Sequence, residues 1–155
     1  LSIITGLSVG STTFIISLIV LFLWIFLKQK PGIGTILNVF IIAIVIDVTS
    51  FFFDPPTSIY HQYLLTIVAV LLVGFGSGIY LVANLGPGPR DGLMTGLTRI
   101  TNYPISFIRA SLEITVVFAG WCLGGTVGLG TLIFAFGIGP AVSLGLFIVK
   151  NHMSK

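Results

Sequence analysis

The sequence predicts an all-α, polytopic membrane bundle. Three observations carry that reading. The chain is 55% apolar, with a mean hydropathy of +1.15. Only 7% of it is charged, against about a quarter in ordinary soluble domains. Five apolar segments approach the ~20 helical residues that a bilayer core of about 30 Å demands. The same figures exclude a disordered chain, which needs low hydrophobicity and high charge. A net charge of +3 without a basic stripe excludes a nucleic-acid surface. A single cysteine, Cys122, excludes an internal disulfide and a CxxC zinc site.

Segment A covers 11–27, B 35–53, C 64–84, D 105–123 and E 131–149. Each break between them has its own chemistry. Lys28-Gln29-Lys30-Pro31-Gly32 follows A. Asp54-Pro55-Pro56-Thr57-Ser58 follows B, and proline there cannot continue a helix. Two prolines and three glycines between Gly86 and Gly92 stop C. Gly124-Gly125-Thr126 stops D, and a charged tail from Lys150 to Lys155 follows E. The segments are continuously apolar rather than alternating, which excludes an outer-membrane barrel.

Basic residues set the expected topology. Lys28 and Lys30 lie between A and B, Arg90 and Arg99 between C and D, Lys150 and Lys155 after E. The B–C and D–E connections have none. The positive-inside rule then places the first three regions, with the C-terminus, in the cytoplasm, so a multi-pass protein of the bacterial inner membrane is expected. The chain begins at Leu1 with no basic n-region ahead of its first apolar stretch, so a signal peptide is not expected and a longer natural N-terminus is.

Shifted by 96 residues, the chain matches itself without a gap. Pro31-Gly32-Ile33-Gly34-Thr35 falls on Val127-Gly128-Leu129-Gly130-Thr131. Leu1, Ile4 and Thr5 fall on Leu97, Ile100 and Thr101, and Phe40 and Ile42 on Phe136 and Ile138. A then corresponds to D and B to E, while C has no visible counterpart. The expectation is a single transmembrane domain over 1–155, with a repeat 1 remnant at 1–54 and repeat 2 at 64–150. Five helices are visible, and a counterpart of C ahead of Leu1 would complete six as 3+3. Three helices per repeat reverse the orientation of the second copy. Inverted repeats are a recurring architecture of secondary transporters.

Several stretches carry a family resemblance. Asn84-Leu85-Gly86-Pro87-Gly88-Pro89-Arg90-Asp91-Gly92-Leu93-Met94, Arg109-Ala110-Ser111-Leu112-Glu113, Gly120-Trp121-Cys122-Leu123-Gly124-Gly125 and Ile138-Gly139-Pro140 together resemble the YczE-type bacterial membrane proteins, grouped with YyaS and YitT. The resemblance covers nearly the whole chain. It implies a longer N-terminus, holding a first helix and a first copy of the G-x-x-P-x-D loop. It implies no settled activity, so it bears on fold rather than mechanism.

Few residues could carry function. Arg109 and Glu113 are four apart in D and share a helix face. Charges inside a bilayer cost a few kcal/mol each and face a bundle or cavity. The pair is either a structural lock or part of a solute or proton site. Its repeat counterparts are Thr13 and Ser17. Asp47 sits deep in B, where it is either polar glue between helices or a proton-coupling carboxyl. Pro89-Arg90-Asp91 reads as a helix start, with acid in its first turn. That short helix, running to Thr101, either lies at the interface or dips into the membrane. Arg90 beside its N-terminus would attract an anion. The turns Gly32, Gly34, Thr35 and Gly128, Gly130, Thr131 open B and E, their glycines suited to positive φ.

Gly74-x-Gly76-x-Gly78 and Gly120-x-x-x-Gly124 are small-residue faces for close helix contact. Trp24 and Trp121 sit where interfacial aromatics do. His61 and His152 read as loop residues without metal-ligand companions, so neither metal nor cofactor is expected. No nucleophile set, paired catalytic carboxylates or P-loop can be assembled, so no catalysis is expected. The leading expectation is a permease or facilitator for a small solute, an anion favoured, with Asp47, Arg90, Asp91, Arg109 and Glu113 at its contacts. The alternative is a non-catalytic subunit docking to a partner membrane complex. The lipid bilayer is a partner in either case.

Overall fold

A computed structural model describes residues 1–153 and forms seven helices there, with no strand among the described residues. They are α1 (Ser2–Thr5), α2 (Val9–Leu23), α3 (Ile33–Phe52), α4 (Ile59–Ala83), α5 (Pro89–Thr101), α6 (Ile105–Cys122) and α7 (Leu129–Met153). Lys155, expected in the charged tail, lies outside the described residues. Four helices are long and apolar enough to cross a membrane: α3, α4, α6 and the Leu129–Asn151 part of α7.

Segment A departs from the expected five full spans. Its helix, α2, has 15 residues, about 22 Å at 1.5 Å per residue. The chain then tightens. Residues 24–28 close i→i−3 hydrogen bonds, from Trp24 N–H to Leu21 O through Lys28 N–H to Ile25 O. At the 2 Å rise of such turns they extend the apolar rod by about 10 Å. The two histidines expected in loops are helical instead. His61 falls in the first turn of α4 and His152 in the last turn of α7.

The helix boundaries follow from local chemistry. Ser8 caps α2, its hydroxyl accepting the Ser11 N–H at 3.1 Å. The Gly32 N–H ahead of α3 donates to Thr35 Oγ1 at 3.1 Å. Pro55 and Pro56 follow the end of α3. Asn84 ends α4 in the left-handed region at φ 54°, which asparagine tolerates better than most residues. Pro89 opens α5, where a missing N–H costs nothing. Pro140 lies inside α7.

Local geometry recurs at the 96-residue offset. Helix α2 starts at Val9 and α6 at Ile105; α3 starts at Ile33 and α7 at Leu129. Gly6 and Asn102 are both left-handed, at φ 70° and 58°, as are Lys28 and Gly124, at 52° and 85°. Leu7 N–H donates to Thr5 Oγ1 and Tyr103 N–H to Thr101 Oγ1, both at 3.4 Å. Gln29 N–H reaches Trp24 O as Gly125 N–H reaches Gly120 O. Gly128 N–H donates to Thr131 Oγ1 at 3.4 Å, as Gly32 does to Thr35. Even the helix crossings correspond. A Cβ on Gly10 of α2 would meet the Ala43 carbonyl of α3, and a Cβ on Gly139 of α7 would meet the Ser106 carbonyl of α6.

The chain divides into two compact units. The first comprises Leu1–Pro55 and Leu85–Leu97, the second Pro56–Asn84 and the residues from Thr98 onward. In the first, α2 packs on α3. In the second, α7 packs on both α4 and α6. Gly74 and Gly78 bring α4 against the backbone of Ala141 and Gly145 in α7, so that any side chain at either glycine would collide with it. Small residues serve such contacts in membranes because dispersion and backbone approach replace the hydrophobic drive. Gly76, on the other side of α4, faces open space.

Candidate functional site

The first unit is organised around the loop that opens α5. Thr35 is fully buried and donates from Oγ1 to the Pro87 carbonyl at 2.7 Å. Gly34 N–H donates to Leu85 O at 2.9 Å. The indole Nε1–H of Trp24 donates to Pro89 O at 2.9 Å. Three donors from the end of α2 and the start of α3 thus hold three carbonyls of one five-residue stretch.

Glycine makes the approach possible. Gly88, Gly92 and Gly96 recur every four residues and so share one face. A Cβ on Gly88 would press on the Asn38 side chain, one on Gly92 would fall inside the Trp24 ring, and one on Gly96 would touch Leu27 and Gln29. Trp24 is 1% exposed, which corrects its expected place in an interfacial aromatic belt. The four-residue spacing of Gly92 and Gly96, not among the small-residue faces expected above, is what admits the bulky partner against α5. Trp121 remains exposed at the end of α6.

Gly32 and Gly34 do not adopt the positive φ expected of them, nor do Gly128 and Gly130; the left-handed glycines are Gly6, Gly86 and Gly124. Gly32 and Gly34 are small because backbone carbonyls crowd their Cβ positions, that of Leu85 at Gly32 and those of Gly86 and Leu85 at Gly34. Gly130 lies in ordinary contact range of Thr66, while Gly128 faces open space. Gly34 N–H at the start of α3 is committed to the loop.

Asp91 is buried in the first turn of α5, where a carboxylate complements the helix dipole, and Arg90 is exposed. Asp47 lies near the other end of α3. Twelve residues separate it from Thr35, about 18 Å along the helix, so the first unit does not gather Asp47 with Arg90 and Asp91. Asp47 instead closes the start of α2. Its Oδ1 accepts the Gly10 N–H at 2.7 Å, and its Oδ2 accepts the Ser8 hydroxyl at 2.6 Å. Ser8, which caps α2 and also donates to Asp47 of α3, carried no signal of that double role in the sequence beyond its place before an apolar run.

In the second unit, Arg109 and Glu113 pair within α6, with Nε 3.3 Å from Oε1 and side chains 4% and 5% exposed. Glu113 stands about 12 Å from the first residue of α6, near the middle of that helix. Thr13, 96 residues ahead of Arg109, returns its hydroxyl to Val9 O at 2.8 Å. The charge pair is therefore a property of α6 alone. Grooves of about 330 Å³ between α4 and α7 and about 470 Å³ between α6 and α7 are lined almost wholly by apolar side chains. Among the described residues no three His, Cys, Asp or Glu side chains gather as a metal site would require.

Comparison with known proteins agrees with the resemblance. An uncharacterized protein of Haemophilus influenzae is 41% identical over 147 residues, 95% of this chain and 67% of its own length. YczE, an uncharacterized membrane protein of Bacillus subtilis, is 37% identical over 131 residues, 84% of this chain and 61% of its own. YyaS of the same organism, also uncharacterized, is 28% identical over 153 residues, 95% of this chain and 75% of its own. The chain therefore spans about two thirds of the length of these relatives. No solved structure matches it. The match of residues 1–146 to the model of a family of unknown function, DUF6198, makes the chain a member of that family.

Proposed function

We propose that the protein is a non-enzymatic permease or facilitator for a small solute, with anions the favoured class, embedded in the bacterial inner membrane. The observation that carries this reading is the Arg109–Glu113 pair, withdrawn from solvent in a helix long enough to cross a bilayer, with Arg109 one turn from its start and Glu113 near its middle. Placing charge inside a bilayer costs a few kcal/mol per residue on insertion scales, and an ionisable residue kept there at that cost points first to a functional role. A hydrophobic pair would stabilise the same helix contact at least as well.

The architecture proposed with it is a 3+3 inverted repeat. The recurrence of helix starts, left-handed turns and cap hydrogen bonds at one offset supports two copies of one unit. The alternation of basic and neutral connections supports their opposite orientation, with the C-terminus in the cytoplasm. In that arrangement α5 is a short helix at the cytoplasmic edge that presents Arg90, while α2 with its tightened turns completes a fifth crossing.

The test is flux. Full-length protein in liposomes is expected to accelerate entry of a labelled small anion, and Arg109→Gln is expected to abolish the acceleration. Absence of flux for every small anion, amino acid and cation tried, from protein that is folded in the bilayer, would contradict it. One observation favours the alternative of a non-catalytic subunit. Gly120 and Gly124, a small-residue face on and just beyond α6, have open space where side chains would be, the form a helix of a partner membrane subunit would fit.

A further inference from the structure

We propose that the face of α3 carrying Leu37, Ile41, Ile44, Val45 and Val48 is the seat of an apolar membrane-spanning helix supplied by the full polypeptide ahead of Leu1, packed there as α4 packs on α7. The proposal rests on the repeat architecture above and names the surface on which its missing member sits.

Residue for residue at the 96-residue offset, these five positions correspond to Ile133, Gly137, Pro140, Ala141 and Leu144 of α7. Those five all line the groove where α4 lies along α7. Gly74 of α4 meets Ala141, and Val70 of α4 is the neighbour of Gly137. The corresponding side chains of α3 lie bare, each 49–59% exposed. The partner of α3 within its own unit, α2, packs on the flank marked by Phe40, Ala43 and Asp47, and of the five only Ile44 borders that groove. The relatives supply the length. This chain accounts for 67%, 61% and 75% of them, so their further length, at whichever end, exceeds the ~20 residues that one crossing takes, and the order of elements at the 96-residue offset is what puts the counterpart of α4 ahead of α2.

The contact differs from its counterpart in one respect. Helix α7 offers Gly137, Ala141 and Gly145 to α4, whereas α3 offers Ile41, Val45 and Thr49. Branched side chains there hold a neighbour near the wide end of the 8–10 Å range of helix separations. The small residues of this interface therefore belong to the incoming helix.

The experiment uses the full-length protein in its membrane, with Cys122→Ser as background. Val45→Cys is combined with single cysteines walked through the segment ahead of Leu1, and oxidative cross-linking is scored. Ile41→Cys serves where Val45→Cys does not accumulate. The expected result is an internal disulfide at positions spaced three and four apart, with Val45→Cys labelled by a membrane-soluble maleimide several-fold more slowly than Leu72→Cys. Cross-links formed only between two polypeptides would overturn the proposal in favour of a second copy. Labelling as fast as at Leu72, without cross-links, would overturn it in favour of lipid. Either failure leaves solute flux to judge the permease reading separately.

Discussion

The backbone N–H of Gly10 in α2 donates to Oδ1 of Asp47 in α3 at 2.7 Å. A carboxylate on one helix thus caps the start of its neighbour, with Ser8 donating to the other oxygen. The first turn of a helix leaves its N–H groups unsatisfied, and Asp47 supplies the acceptor that Gly10 would otherwise lack. Asp47 therefore joins α2 to α3 by chemistry as well as by packing. Asp47→Ala is expected to lower the apparent unfolding midpoint in detergent by the equivalent of about 1–3 kcal/mol, the cost of leaving a donor without its charged acceptor. Asp47→Asn keeps an acceptor for Gly10 and is expected to cost less. Equal effects of the two would contradict the capping role.

Trp24 and Trp121 predict opposite optical behaviour. Trp24 is 1% exposed and Trp121 61%. Fluorescence of Trp121, measured in Trp24→Phe, is expected to be quenched by brominated acyl chains. Fluorescence of Trp24, measured in Trp121→Phe, is expected to resist them. Trp24→Phe should also cost about 0.5–1.5 kcal/mol by removing the indole donor to the Pro89 carbonyl. Gly92→Ala should cost more, because the added methyl enters the indole ring.

Two glycines of α4 are predicted to be intolerant and one indifferent. Gly74→Val and Gly78→Val drive side chains into the backbone of α7. Both are expected to reduce the yield of folded protein sharply. Gly76→Val meets open space and is expected to leave yield unchanged. Size-exclusion profiles of the three variants check this.

The paired turns are predicted to be unequal. Thr35 and Thr131 each accept the N–H of the glycine three residues before. Only Thr35 is also shown to hold a loop carbonyl, that of Pro87. Thr35→Val is therefore expected to be clearly more destabilising than Thr131→Val in the same melting assay.

Helix identity and most boundaries were legible in the sequence, because proline, glycine and charge punctuate a chain that is otherwise apolar. The start of α5 was legible from Pro89 and Asp91, and the Arg109–Glu113 pair from its spacing. What escaped was tertiary. The sequence marks Trp24 as an aromatic at a segment end, and only the glycine face of α5 folded against it makes it a buried anchor. Gly32 and Gly34 are small for the Leu85 and Gly86 carbonyls rather than for their own φ, and no local pattern distinguishes these. Segment A looked long enough to cross as one α-helix. Its tightening after Leu23 follows from the hold on Trp24 and the left-handed Lys28, a turn that lysine does not advertise.

The central claim is that the buried pair of α6 belongs to a solute site. Its most direct test is solute-dependent thermal stabilisation of the purified full-length protein, screening small anions, amino acids and cations across pH. A ligand that binds the folded state raises the midpoint by mass action. The expected result is a saturable rise with a small anion that Arg109→Gln abolishes while the variant still melts cooperatively. A rise untouched by Arg109→Gln, or none with any solute, would contradict it.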